Sequence, residues 1–327
     1  MPIGVVGIGA HVPPTIVTND DIARWADVTP QWVGERTGIE ERRYAPDGTA
    51  TSDLAVPAAH QALAAVPEAA ARLRALVVGT CTPDSPQPST AAVVQDRLGL
   101  GPVPAFDLNA VCSGFLYSMV VAERLLAGDR DGGYALVVGA DMFSRIMNRR
   151  DRRTVSLFGD GAGAVLLGEV PEGYGLLASR LATHGEFREY VGVAAGGTRI
   201  PLDDRAVAAG DHLFRMDGRA VRDYAMDELP KLLEQTLGDC GMGVGDIDRF
   251  VFHQPNTRML EALAERLGAP LDRFAMTAPH LGNTAAASVP LTLHAAHTER
   301  PFQRGERILL ASIGGGMTVG AAVLVWY

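Results

Sequence analysis

A chain of 327 residues with 47% hydrophobic and 20% charged residues is long enough for a large core and ordinary for a globular protein. Its formal net charge of −9 argues against non-specific nucleic-acid binding, and no apolar run reaches the roughly 18–20 residues of a bilayer-spanning helix. Its 3 Cys are widely spaced and form neither a disulfide framework nor a CxxC pattern, so a reducing, cytoplasmic setting with no bound metal is expected.

MPIGVVGIGA at the N-terminus lacks the basic segment of a signal peptide and reads as a first strand. Its glycine spacing hints at a dinucleotide loop, but GIGAHVPP places prolines where a helix should begin, and the reading is rejected. Further strands are read at RALVVGT (74–80), YALVVGA (134–140), GAVLLGE (163–169), RFVFHQ (249–254), RILLASIG (307–314) and AAVLVWY (321–327). Helical patterns alternate with them. Continuous apolar runs of this length fit strands covered on both faces in a layered α/β protein.

The two halves of the chain rhyme. LVVGTCTPDSPQPSTAAVVQDRLG and FVFHQPNTRMLEALAERLG each read strand, Pro-containing loop, helix and a closing Arg-Leu-Gly. FGDGAGAVLLG (158–168) and IGGGMTVGAAVLV (313–325) each read glycine turn, then apolar strand. An internal duplication is expected, with one half over residues 1–171 and the other over 172–327. A site would lie where the loops of both halves converge.

Cys112, in FDLNAVCSGFLYS, stands between an apolar segment and a long amphipathic one. A helix starting there would aim free N–H groups and a positive dipole end at the sulfur, favouring thiolate. The same N–H groups could receive an oxyanion. A buried space-filling Cys is the other reading. Cys81 and Cys240 have no helix starting behind them. His253 is delivered by the end of the strand in VFHQPN, and a satisfied core His is the alternative there. Asn283, in HLGNTAAAS, could be only a helix cap. By the duplication, however, the Cys112 and Asn283 turns correspond, and the His253 loop corresponds to the Cys81 loop. Three apt residues on convergent loops suit acyl transfer through a Cys thioester.

Ordered motifs along essentially the whole chain resemble the β-ketoacyl-acyl-carrier-protein synthase III family of the thiolase superfamily. They include TNDDIARWADVTPQWVGERTGIEERR (18–43), CTPDSPQPSTAAVVQDRLG (81–99), AFDLNAVCSGF (105–115), DRRTVSLFGDGAGAVLL (151–167), HQPNTRML (253–260), GNTAAAS (282–288) and GGGMTVG (314–320). The resemblance implies a thiolase-like five-layered αβαβα fold and a homodimer. It implies Cys112 as the acyl-accepting nucleophile, with His253 and Asn283 stabilising the enolate as a malonyl-type extender loses CO2. It places the oxyanion hole at the N–H groups of Cys112 and Gly315. Trp32 and Arg152 match residues that sandwich the adenine of coenzyme A, and Arg36 matches a pantetheine-tunnel or phosphate contact. Arg219, Arg222 and Arg258 match carrier-docking positions, although Asp223 replaces a Lys. No cofactor is implied beyond the coenzyme A thioester used as substrate; an acyl carrier protein is the implied partner.

Two departures bear on the acyl pocket. Gln87 stands where a bulky apolar residue reaches into the partner subunit's pocket, and Ile313 stands where Phe packs beside the nucleophile. A starter larger than acetyl, branched or oxygenated, is expected. The reading is an enzyme priming polyketide or fatty-acid-like synthesis. The alternative is an acyltransferase using the same Cys to pass its acyl group to a carrier thiol, hydroxyl or amine without condensation.

Overall fold

The computed structural model describes residues 1–129 and 131–327. Two sheets carry the core. The first has five strands in the spatial order Ile3–His11, Asp160–Glu169, Tyr134–Met142, Leu73–Gly79, Ala105–Leu108. The second has four in the order Gly175–Thr183, Thr318–Val325, Arg307–Gly314, Arg249–Phe252. In each sheet the first two pairings are antiparallel and the next is parallel. The fifth strand of the first sheet has a vestige in the second, the parallel bridge of Phe250 to Phe274.

Alternation along the strands sorts side chains between an inner and an outer face. Inner-face residues Val77, Val137 and Val165 of the first sheet share one cluster with Val251, Ile308 and Leu310 of the second. The helices Gly114–Ala127 and Ser288–Glu299 fill the space between, through Phe115, Met119, Val289 and Leu293. Each such buried side chain contributes about 1.5–3 kcal/mol relative to exposure. Outside the first sheet lie helices Thr51–Ala64 and Thr90–Arg97. Outside the second lie Gly218–Gly238 and Thr257–Leu267. The result is the five-layered αβαβα arrangement of the thiolase-like fold.

The glycines of GVVGIGA have their reason here. They lie within the strand Ile3–His11, and a Cβ at Gly7 or Gly9 would meet the carbonyl oxygens of Ala62 or Ala58 at 2.4 and 2.1 Å. Ala55, Ala58, Ala59 and Ala62 complete the contact from the helix side. The segment is a close helix–strand contact, with no phosphate loop.

Strands read from apolar runs lie where the runs are, shifted by a few residues at the ends. Gly175–Thr183 was not legible: its sequence, GLLASRLAT, leaves most of its side chains partly exposed. The helix that carries Arg219 and Arg222 begins at Gly218, because Met216 belongs to a short strand and the Asp217 carboxylate caps the N–H groups of Arg219 and Ala220.

Candidate active site

Cys112 lies in a tight turn, Val111–Ser113, at the entrance to helix Gly114–Ala127. Asn109 Oδ1 accepts from the Val111 N–H at 3.1 Å, and Val111 is held at φ 49°. A β-branched residue in that region is strained, and such strain persists where the surroundings impose it. The second half repeats the device. Asn283 Oδ1 accepts from the Ala285 N–H at 2.9 Å, Ala285 has φ 49°, and the turn Ala285–Ala287 leads into helix Ser288–Glu299. Residues 109–114 and 283–288 are thus one motif used twice. Within it Asn283 corresponds to Asn109, and Cys112 corresponds to Ala286.

The structure brings these turns together. The turn carrying Cys112 packs on Ala285–Ala287 and on the strand Arg307–Gly314. A Cβ at Gly114 would touch Ala286 at 3.5 Å. The glycine turn after that strand lies over Cys112's own turn: Thr318 Oγ1 donates to the Ala110 carbonyl at 3.1 Å, and a Cβ at Gly315 would meet Val111 at 3.4 Å. His253 follows strand Arg249–Phe252, and its Nδ1 lies 2.6 Å from Ser288 Oγ, at the end of the Asn283 motif. Asn283 is pinned from outside, its N–H donating to Leu157 at 2.8 Å and its carbonyl accepting from Gly159 at 2.9 Å. Cys112, His253 and Asn283 are all buried, at 8%, 4% and 5% exposure, so access runs through cavities.

Sequence position suggested that a helix terminus holds Cys112 as thiolate. The structure corrects this. Burial pushes the thiol well above its ordinary range, and the Asp141 carboxylate pushes the same way; only the backbone N–H of Cys112 opposes them. The Cys112 side chain accordingly rests as a thiol. His253 moves in the opposite direction: burial lowers it to about 3, against a smaller favourable bond with the Ala285 backbone, so the imidazole is neutral. Asn283 has its oxygen occupied, and among the described residues its amide N–H groups have no partner.

Asp141 was missed by sequence reasoning. It is the last but one residue of strand Tyr134–Met142 and fully buried, and a carboxylate closing the apolar run YALVVGA was the available signal. Its Oδ1 accepts from the Cys81 and Thr82 N–H groups at 2.9 and 3.1 Å and from the hydroxyls of Thr80 and Thr82 at 3.0 and 2.8 Å. Its Oδ2 accepts from the Ala286 N–H at 2.9 Å. One carboxylate therefore ties the Cys81 loop of the first half to the Asn283 motif of the second.

Two cavities lie beside the site, one through Leu157 and one through Val111. A cleft of about 530 Å³ is lined by Trp32, Arg36, Arg153, Leu157, Arg219 and Asn256. Leu157 is the residue whose carbonyl holds Asn283, so the cleft ends beside the site. At its mouth the Arg152 guanidinium lies over the Trp32 ring at 5.5 Å, a flat cationic and aromatic pair. Arg42 braces this wall: fully buried, it donates to Val17, Asn19 and Ser156 and stays cationic, lowered by burial to about 10.

A second cavity of about 890 Å³ flanks Cys112 through Val111, with Cys81, Phe143, Ile146, Val191 and Phe214 in its wall. Gln87 is exposed on the loop whose Ser85 and Pro86 line this cavity. Ile313 packs with Tyr224, Met317 and Val319, in a cluster that also touches Val191 of the cavity wall, and edges a void of about 20 Å³ beside His253. The alternation of its strand turns it toward helix Gly218–Gly238.

The carrier-docking candidates differ in setting. Arg219 lines the cleft; Arg222 lies 3.8 Å from Asp223; Arg258 is paired with Glu261 at 3.0 Å and donates to the Glu35 carbonyl. Among the described residues no cluster of His, Cys, Asp and Glu is placed to hold a metal, and no helix is long and apolar enough to cross a membrane.

Comparison with known proteins then decides the family. Residues 106–185 match the family model of 3-oxoacyl-[acyl-carrier-protein (ACP)] synthase III, and residues 237–326 match the model of its C-terminal part. An acetoacetyl CoA synthase from Streptomyces sp. (strain CL190) is 44% identical over 98% of both chains. The chain belongs to the 3-oxoacyl-[acyl-carrier-protein] synthase III family. The synthase III crystal structure from Thermus thermophilus superposes with a TM-score of 0.92 at 37% identity, covering 99% of each chain. A priming β-ketosynthase of the R1128 polyketide pathway superposes at 0.91 with 28% identity, covering 99% of this chain and 96% of the other. The protein is accordingly an enzyme of the type-III ketosynthase kind.

Proposed function

We propose that the protein takes an acyl group from an acyl-CoA onto Cys112 and condenses it with a malonyl-type thioester on a carrier protein, priming polyketide or fatty-acid-like synthesis. The observation that carries this reading is the pair of neutral groups beside the Cys112 turn. His253 is held uncharged by burial, and Asn283 has its amide N–H groups free. Enolate stabilisation after CO2 loss requires hydrogen-bond donors at the thioester oxygen, and both groups supply them. Simple acyl transfer needs donors only at the acyl carbonyl, a place the Cys112 and Gly315 N–H groups take in this reading, and gives a second pair of donors no oxyanion to hold.

In this reading the sulfur attacks the acyl-CoA carbonyl and the CoA thiol leaves with the Cys proton. N–H groups of Cys112 and Gly315 receive the oxyanion. Trp32, Arg152 and Arg36 hold the nucleotide end of coenzyme A in the basic cleft, and Arg219, Arg222 and Arg258 meet the carrier. The 890 Å³ cavity takes the acyl chain, which favours starters larger than acetyl. The active unit is a homodimer in which Gln87, exposed here, reaches the partner's pocket, and each chain divides near residue 171 into its two halves. The acetoacetyl CoA synthase and the polyketide-priming relative both support a condensing role.

A panel of acyl-CoA donors read by mass spectrometry, followed by malonyl thioester with CO2 detection, tests the proposal. Cys112→Ala is expected to abolish the acyl adduct. His253→Ala is expected to keep acylation and lose condensation by on the order of a hundredfold or more. Acyl transfer to an acceptor with no CO2 for any starter would refute condensation.

A further inference from the structure

We infer that Ser288 is a positioning residue that fixes which nitrogen of His253 faces the substrate. The inference rests on the condensing role proposed for His253. Ser288 Oγ lies 2.6 Å from His253 Nδ1, and both side chains are buried, with Ser288 at 0% exposure. A neutral imidazole carries one proton, on either nitrogen, and its partner selects the form. Among the described residues Nδ1 is the one hydrogen-bond partner of the Ser288 hydroxyl. If the ring donated from Nδ1, the serine proton would be buried without an acceptor. The geometry therefore has Ser288 donate and Nδ1 accept, which puts the ring proton on Nε2.

The duplicated motif explains why a serine stands there. Ser288 occupies the position of Gly114 in the first half. There the strand Leu73–Gly79 ends against the helix start so closely that a Cβ at Gly79 would meet the Gly114 backbone at 2.6 Å. In the second half the strand end delivers His253, and the helix start supplies a hydroxyl to meet it. The two copies have diverged at one junction, from a bare backbone contact to an oriented histidine. Asn283 lies in the same motif with its oxygen engaged by the Ala285 N–H. One six-residue segment thus engages the acceptor atom of both groups, Nδ1 of His253 and Oδ1 of Asn283, and leaves each with N–H to donate. A donating Nε2–H can hold a thioester oxygen that gains negative charge; an Nε2 lone pair would repel it.

The test compares Ser288→Ala and Ser288→Thr with the parent. In Ser288→Ala the Cys112 acyl adduct should form at close to the parent rate, while condensation kcat falls on the order of tenfold to a hundredfold, as when a histidine's orienting partner is removed. KM for the malonyl thioester should change little. Ser288→Thr, which keeps the hydroxyl, should recover most of the loss. Nitrogen-15 NMR of His253 in the parent should show the Nε2–H form, and in Ser288→Ala a mixture. A parent ring protonated on Nδ1 would overturn the inference even if Ser288→Ala fails to fold, and so would an unchanged condensation kcat in a folded Ser288→Ala. Absence of condensation in the parent would instead remove the underlying functional reading.

Discussion

Cys112 carries a thiol whose surroundings work against ionisation. The helix start behind it was legible in CSGFLYS, but burial and the Asp141 carboxylate outweigh the backbone N–H. With its pKa raised, the thiolate fraction at neutral pH is small and grows about tenfold per pH unit. Alkylation of Cys112 by iodoacetamide should be slow at pH 7 and rise through pH 9 without a plateau; a plateau below pH 9 would contradict the assignment. The sign is opposite for His253. Lowered from 6.5 to about 3, it stays neutral throughout the ordinary working range. Single-turnover condensation by pre-acylated enzyme should therefore show no acid limb near pH 6.5. Both expectations depend on neighbours distant in the chain, which explains why residue type and local spacing named the residues without their protonation states. Asp141 and Ser288 were missed for the same reason: their partners lie tens of residues away or more.

At the scale of elements, the duplication was legible because strand, loop and helix recur in the same order with the same closing Arg-Leu-Gly. Its finest sign is conformational, since both turns use an Asn side chain to hold a non-glycine residue at φ 49°. Sequence comparison matched Cys112's turn to Asn283's turn; the structure refines this to Asn109 with Asn283 and Cys112 with Ala286. GVVGIGA shows the limit of pattern reading. Its glycines could be rejected as a phosphate loop, but their purpose became visible only when helix Thr51–Ala64 was seen against the strand. Gly9→Val should then cost about 1–3 kcal/mol through forced displacement of that helix. A thermal melt would show it as a lowered Tm with the site residues untouched, whereas an unchanged Tm would mean the helix moves freely.

At the scale of the whole molecule, the site exists because two similar sheets bury their inner faces against a shared pair of helices. That packing sets the loops of both halves side by side and leaves a cleft and a cavity next to them. The cleft mouth combines Trp32 and Arg152 with further arginines on a chain of net charge −9, so attraction for an anionic ligand is local. Trp32→Ala should raise KM for acyl-CoA several-fold while leaving acylation by a short acyl-pantetheine donor, which lacks the adenine, nearly unchanged. An equal loss with both donors would move the nucleotide site elsewhere. The sequence by itself determined the layered α/β class and the repeated order of elements and singled out Cys112, His253 and Asn283 as candidates, because apolar periodicity and ordered motifs are local properties of a chain. Tertiary structure alone decided that Cys112 rests as a thiol and that Asp141 and Ser288 lie beside the candidate residues. Burial and hydrogen-bond partnership arise between segments, and no window of sequence contains both partners.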